Sequence, residues 1–169
     1  MEKSRVNIKL GHKDEYRRID EWPFHISAGG VVYQVEQGKA MVLILHRGPE
    51  FNTKLNRESK ETWHLPKGTM KYTESLAEGA IREVREEAGV EVEIQAYLGS
   101  RIADWIEDGR HYIKDHHYFL MQYLEESEVP MDDEHEAKRW FPIDEAAKRL
   151  EWDKEAVATA KIALSKILK

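Results

Sequence analysis

The sequence predicts a single α+β domain in which helices pack on a mixed β-sheet. Three observations carry that expectation. The hydrophobic periods run in the order strand, strand, helix, strands, helices. The chain has 169 residues, 41% of them hydrophobic, which suits one domain with a core of its own. No internal repeat or low-complexity tract interrupts the pattern.

Each element follows from local chemistry. Residues 1–24 are polar, mixed in charge and without clear period, and read as an extension ended by Trp22-Pro23-Phe24. The domain proper is expected over residues 25–169. His25 to Glu36 reads as a strand, with Gly29-Gly30 marking a bulge or a close backbone approach. Gln37-Gly38-Lys39 is a turn, and Ala40 to His46 a strongly apolar strand, so the two form a hairpin. Residues 48–61 are polar and aperiodic and read as a long loop. Trp63 to Pro66 is a short extended piece, because Pro66 keeps Leu65 out of helix. Residues 74–88 give the clearest helix, with Ala77, Ala80, Ile81, Val84 and Ala88 on one stripe. Thr73 is placed to cap its start and Gly89 to end it. Strands follow over Val90–Trp105 and Tyr112–Tyr123, then an acidic loop from Glu125 to Glu136 and a short strand at Arg139-Trp140-Phe141. Helices at Ile143–Leu150 and Asp153–Leu168 close the chain.

Composition excludes several classes of function. Cysteine is absent, which removes disulfides, thiolate metal sites and cysteine nucleophiles. The longest apolar run, Ala40 to Leu45, falls far short of the roughly 20 residues a membrane span needs. The first residues lack the apolar centre of a signal peptide, so a cytoplasmic protein is expected. A net charge of −6 argues against a stable nucleic-acid partner, which usually meets a basic face. Polyphosphate substrates remain open, because divalent cations can supply positive charge.

The chemistry concentrates on the helix at 74–88. At about 100° per residue, Glu83 and Glu87 project together beside the apolar stripe, and Glu86 borders the same patch. Like charges at these spacings repel by a few tenths of a kcal/mol per pair. Glu86 and Glu87 also stand in the last turn, where the helix dipole disfavours anions. A helix selected for stability alone would carry Lys or Arg there. The plain alternative is a solvated acidic face; the arrangement gains sense if a cation such as Mg²⁺ occupies that flank, since carboxylate oxygens and phosphates hold it. Pro66-Lys67-Gly68 precedes the helix and offers a cation beside a closely approachable backbone.

From Gly68 the chain reads GTMKYTESLAEGAIREVREEAGV. This string resembles the Nudix hydrolase signature, G-x5-E-x7-R-E-U-x-E-E-x-G-U, with U a bulky aliphatic residue. Gly68, Glu74, Arg82, Glu83, Val84, Glu86, Glu87, Gly89 and Val90 match every specified position. The resemblance implies an α/β/α sandwich with a mixed sheet. It also implies Mg²⁺-dependent (or Mn²⁺-dependent) attack of water on phosphorus in a nucleoside diphosphate linked to another group. By position, Glu83, Glu86, Glu87 and the Gly68 carbonyl would be metal ligands, Arg82 would orient the glutamates, and Glu74 would support them. Leu65-Pro66-Lys67-Gly68, Tyr118-Phe119-Leu120 after Lys114, and Asp133 to Trp140 resemble the group that cleaves dinucleoside polyphosphates such as diadenosine tetraphosphate. That likeness makes Glu134 a further metal ligand or general base, so the base is Glu83 or Glu134. Two departures stand out. The stretch where many of that group carry Tyr is here Ile102-Ala103-Asp104-Trp105, and loop 48–61 is longer than usual. Other expected substrates for the same chemistry are oxidised or ordinary nucleoside triphosphates, nucleotide sugars, diphosphoinositol phosphates and capped RNA. A silent nucleotide sensor is the reading from another class.

Further candidates come from position. Lys67 suits a phosphate. His46 and Arg47 end an apolar strand, where clefts are commonly lined. Trp63, Trp105 and Tyr118 are candidates for stacking on a base. Alternation puts His116 and Tyr118 on one face and His117 on the other, which splits the histidine cluster and argues against zinc. Trp140 and Trp152 are assigned to packing. The sequence leaves the oligomeric state open.

Overall fold

In the computed structural model, residues 18–19, 22–53, 56–107 and 109–169 are described. The sequence-expected extension at residues 1–24 lies mostly outside them. Arg18–Ile19 forms β1 and pairs with β2, Trp22–Glu36, which begins three residues before His25. β3, Lys39–Arg47, returns antiparallel to β2 as the expected hairpin, with Val32 opposite Leu43 and Glu36 opposite Lys39.

The polar stretch after β3 is not a plain loop. Phe51–Asn52 (β4) and Arg57–Glu58 (β5) pair as a two-stranded ribbon separate from the main sheet. Thr62–His64 (β6) then pairs with the end of β3, and Lys67–Thr69 (β7) with the start of β2. The two short strands therefore fill the gap where β2 and β3 part. Gly29 is placed for this approach: a Cβ there would sit 2.1 Å from the Pro66 carbonyl oxygen. The amide of Gly30 donates to that same carbonyl at 3.1 Å.

Helix α1, Leu76–Ala88, starts two residues later than expected. Its cap is Ser75 rather than Thr73. The Ser75 hydroxyl accepts from the Glu78 amide, and the Glu78 carboxylate accepts from the Ser75 amide, a reciprocal pair that satisfies two otherwise unpaired donors. Gly89 ends the helix with φ 63°, in the left-handed conformation expected of it. Strands β8, Val90–Glu107, and β9, Arg110–Glu126, form a long antiparallel arm with three register shifts in β8. β10, Ala137–Pro142, pairs with β3, and helices α2, Ile143–Arg149, and α3, Lys154–Ile167, follow.

The main sheet runs β10-β3-β2-β9-β8, and it is mixed because β2 and β9 are parallel while the other pairs are antiparallel. Side chains alternate across it with period two. Val31, Tyr33, Val42, Ile44 and Leu120 face one layer, where Ala146, Leu150, Val157, Ala160 and Leu164 of the α2–α3 region cover them. Val32, Leu43, Leu45, Phe119 and Met121 face the other, under Ala80, Val84 and Ala88 of α1. The α/β/α sandwich implied by the signature is the architecture found. No helix among the described residues is long and apolar enough to cross a membrane.

Candidate active site

Helix α1 carries its carboxylates toward the seam where β7 meets β2. Arg82 organises them. Its guanidinium grips Glu74 with two bonds, Nε to Oε2 at 2.9 Å and Nη2 to Oε1 at 2.6 Å. The same group donates to Glu83 at 2.7 Å, to Glu86 at 3.1 Å and to the Thr69 carbonyl at 3.1 Å. Burial disfavours the charge on Arg82, but Glu74 and Glu83 outweigh it and hold the guanidinium firmly protonated. Burial also opposes ionisation of Glu74, and there Arg82 and the Lys71 amide prevail, leaving its carboxyl below the usual range.

Glu83 and Glu87 are shifted the other way. Glu83 is 6% exposed, and burial raises its carboxyl despite Arg82. Gly68 packs directly against it: a Cβ on Gly68 would meet Glu83 Oε2 at 2.1 Å. Only glycine lets β7 come this near the carboxylate. Glu87 accepts from the Lys67 amide at 2.9 Å. Burial nevertheless pushes it up to about 8, and the charges of Glu83, Asp132 and Glu134 add to that. Glu87, Asp132 and Glu134 offer carboxylate oxygens within 4.8 Å of one another. Anions gathered at this spacing, one of them buried enough to resist ionisation, fit a divalent cation.

Glu87 also lines one side of a cleft of about 700 Å³. Arg47, Lys67, Arg101 and Lys114 line it as well, with Trp105, Trp152, His64 and His116. Negative and positive groups thus divide one cavity between them. Arg47 meets Glu134 at 3.2 Å, and so links the cleft to the loop that carries Asp132 and Glu134. Asp132 Oδ1 in turn accepts from His135 Nδ1 at 3.0 Å. Lys67 is paired with Asp153, whose other oxygen accepts from the Tyr118 hydroxyl at 2.5 Å. Burial would raise Asp153, but Lys67 and Tyr118 hold its carboxyl low. His64 and His116 are kept neutral, at about 4 and about 3, by burial first and then by nearby cations.

The structure brings most of the sequence candidates together. Glu83 and Glu86 share the Arg82 network, and Gly68 packs on Glu83. Lys67, Glu87, Arg47, Lys114 and Trp105 line the cleft, and Glu134 stands beside Glu87. His46 turns elsewhere, to Glu61 at 3.1 Å and Glu136 at 3.4 Å, with its ring against Trp63. Trp63 also packs edge-on against Phe141. Tyr118 is a core residue, its ring buried and its hydroxyl spent on Asp153. Trp140 packs against Tyr123 as expected, whereas Trp152 leaves the core and lines the cleft. Asp132, Asp153, His64, His116 and Arg101 were not singled out as site residues. Only Asp132 had a local signal, two positions before Glu134 in the acidic loop.

The family model described as NUDIX domain matches residues 23–160. A protein named MutT4 from Mycobacterium tuberculosis is 37% identical over 103 residues, 60% of this chain and 41% of that one. Nudix hydrolase 5 from Arabidopsis thaliana is 30% identical over 118 residues, 66% of this chain and 37% of that one. The chain spans less than half the length of the curated relatives it matches. Among solved structures, a C. elegans Ap4A hydrolase binary complex superposes with TM-score 0.63 at 22% identity, covering 84% of this chain and 98% of that one. An ADP-ribose pyrophosphatase from Streptococcus suis gives 0.54 at 17% identity, covering 82% and 90%. At such identities these two establish the fold.

Proposed function

The chain belongs to the Nudix domain family, and from that premise we propose that it is a divalent-metal-dependent phosphoanhydride hydrolase whose substrate is a dinucleoside polyphosphate such as diadenosine tetraphosphate. The observation that carries the reading is the division of the cleft: a cluster of carboxylates at Glu87 and a wall of Arg47, Lys67, Arg101 and Lys114. Carboxylates alone would repel a polyphosphate, and cations alone would bind it without activating water. The likeness to the C. elegans Ap4A hydrolase fold and the Leu65-Pro66-Lys67-Gly68 element favour the dinucleotide. The functional unit is residues 25–169, with 1–24 as an extension.

Glu83, Glu86 and Glu87 would hold Mg²⁺ or Mn²⁺, with Asp132, Glu134 and the Gly68 carbonyl as further donors. The ion, when bound, supplies neutralisation of phosphate oxygens and a lowered pKa for water. The chain does the rest. Arg82 fixes the glutamates before substrate arrives, so little reorganisation is needed. Lys67 and Arg47 orient the phosphates. The proton of the attacking water passes to Glu83 or Glu134. Glu134 is favoured, because Arg82 and Gly68 enclose Glu83, while Glu134 is an exposed loop residue held by Arg47. Trp105, stacked on Tyr112 at 5.5 Å, is a platform for a base.

The test is turnover with Mg²⁺ on diadenosine tetraphosphate, ADP-ribose, nucleoside triphosphates and a diphosphoinositol phosphate, with products separated by chromatography. Preferred cleavage of the tetraphosphate to ATP and AMP is expected. Preference for another member of the panel would overturn the substrate assignment. Full activity in both E86Q and E87Q would overturn the metal assignment.

A further inference from the structure

Trp152 stands on the turn between α2 and α3 and is 51% exposed. The turn is not loose. The next residue, Asp153, is 4% exposed, has φ 68° although it is not glycine, and is fastened by Lys67 and Tyr118. A left-handed conformation at a buried aspartate carries a conformational cost, retained here because Lys67 and Tyr118 both bond its carboxylate. The indole is backed by the His64 ring, 5.4 Å away and tilted by 30°. The remainder of the indole is open to the cleft that it lines beside Arg47 and Lys67.

A second aromatic pair, Trp105 with Tyr112, stands on the β8–β9 arm. Trp105 lines the same cleft as Trp152.

We propose that Trp152 is a specificity-determining residue, whose indole on His64 is a stacking face for a nucleobase of the substrate. This rests on the polyphosphate reading above and deepens it: the cleft would select a phosphate chain that carries an aromatic base over a bare one.

The experiment compares wild type, W152A and W152F by calorimetry with Mg²⁺. The probes are a methylene-bridged analogue of diadenosine tetraphosphate and a methylene-bridged tripolyphosphate that bears no base. The expected result is a Kd for the dinucleoside analogue roughly 5- to 150-fold weaker in W152A, from the usual worth of one stacked base. W152F keeps a ring and should recover most of it, and the base-free probe should bind all three alike. An unchanged Kd for the dinucleoside analogue in W152A would refute the proposal, as would equal weakening of both probes. Binding by wild type without turnover of the natural substrate would refute the hydrolase reading and leave Trp152 its role. No binding by wild type would refute both.

Discussion

Replacing Arg82 by alanine should be among the most damaging single changes available to this chain. The guanidinium makes five hydrogen bonds, and its main partners are scarcely exposed: 11% for the Glu74 side chain and 8% for Glu83. Removing it strands two carboxylates in the interior. Breaking a buried ion pair from one side costs about 3–5 kcal/mol, because the remaining charge is uncompensated. For a domain of this size that is a fall in Tm of roughly 6–20 °C. R82K keeps the charge but offers three donors in place of the planar fork, and it should fall between wild type and R82A. The assay is urea unfolding of wild type, R82A, E74Q and the double variant in EDTA, so that metal does not enter. Neutralising Glu74 removes half of the stranded charge, so the double variant should be more stable than the two single losses added together. R82A within about 1 kcal/mol of wild type, or additivity within about 0.5 kcal/mol, would refute the reasoning.

Other outcomes follow from the same site. Glu87 is protonated in the metal-free fold up to about pH 8, against an ordinary value of 4.5, so metal-free stability should fall as pH rises through that window. E87Q removes this dependence, and its stability advantage over wild type in EDTA should grow from pH 5 to pH 8; a constant difference would count against the burial of that charge. His64 and His116 work in the opposite sense. Both are neutral when folded and protonate more readily when unfolded, so their contribution is present above about pH 6.5 and is lost on acidification toward about 4 and 3. H116Q should therefore lose stability less steeply than wild type between pH 6.5 and 4, as followed by thermal unfolding. G68A would drive a methyl into the Glu83 carboxylate, which Arg82 prevents from swinging aside. Its kcat should drop roughly 5- to 150-fold, in line with about 1–3 kcal/mol of displaced packing at that point; wild-type kcat in G68A would show that the approach is dispensable.

Much of the fold was legible because the helix and strand periods are unambiguous. The stripe of Ala77, Ala80, Ile81, Val84 and Ala88 located α1, and the alternation of β2, β3 and β9 located the sheet. The cap at Ser75 was missed because Thr73 is equally eligible by type; the capping box with Glu78 decides between them. The β4–β5 ribbon has no apolar alternation to announce it. On the site, the carboxylates were legible because helical spacing fixes their common flank. Asp153, His116 and Trp152 were not, because they reach the cleft through chain crossings: the α2–α3 turn meets β7 and β9 only in three dimensions. Trp152 in particular sits in a helix-rich stretch where a tryptophan ordinarily packs.

The wedge of β6 and β7 has a consequence for how the site is lost and gained. The segment bearing Lys67 and Gly68 is not a loop hung on the domain. It is hydrogen-bonded into the main sheet through Ser27, Ala28 and Gly29, while β6 is tied to Leu45, His46 and Arg47. Amide protons along this segment should exchange with solvent only when the sheet itself opens, at rates tracking global unfolding. The backbone that supports the carboxylates would then have no loosened form of its own, and the chain would acquire it in the same cooperative step that closes the sheet.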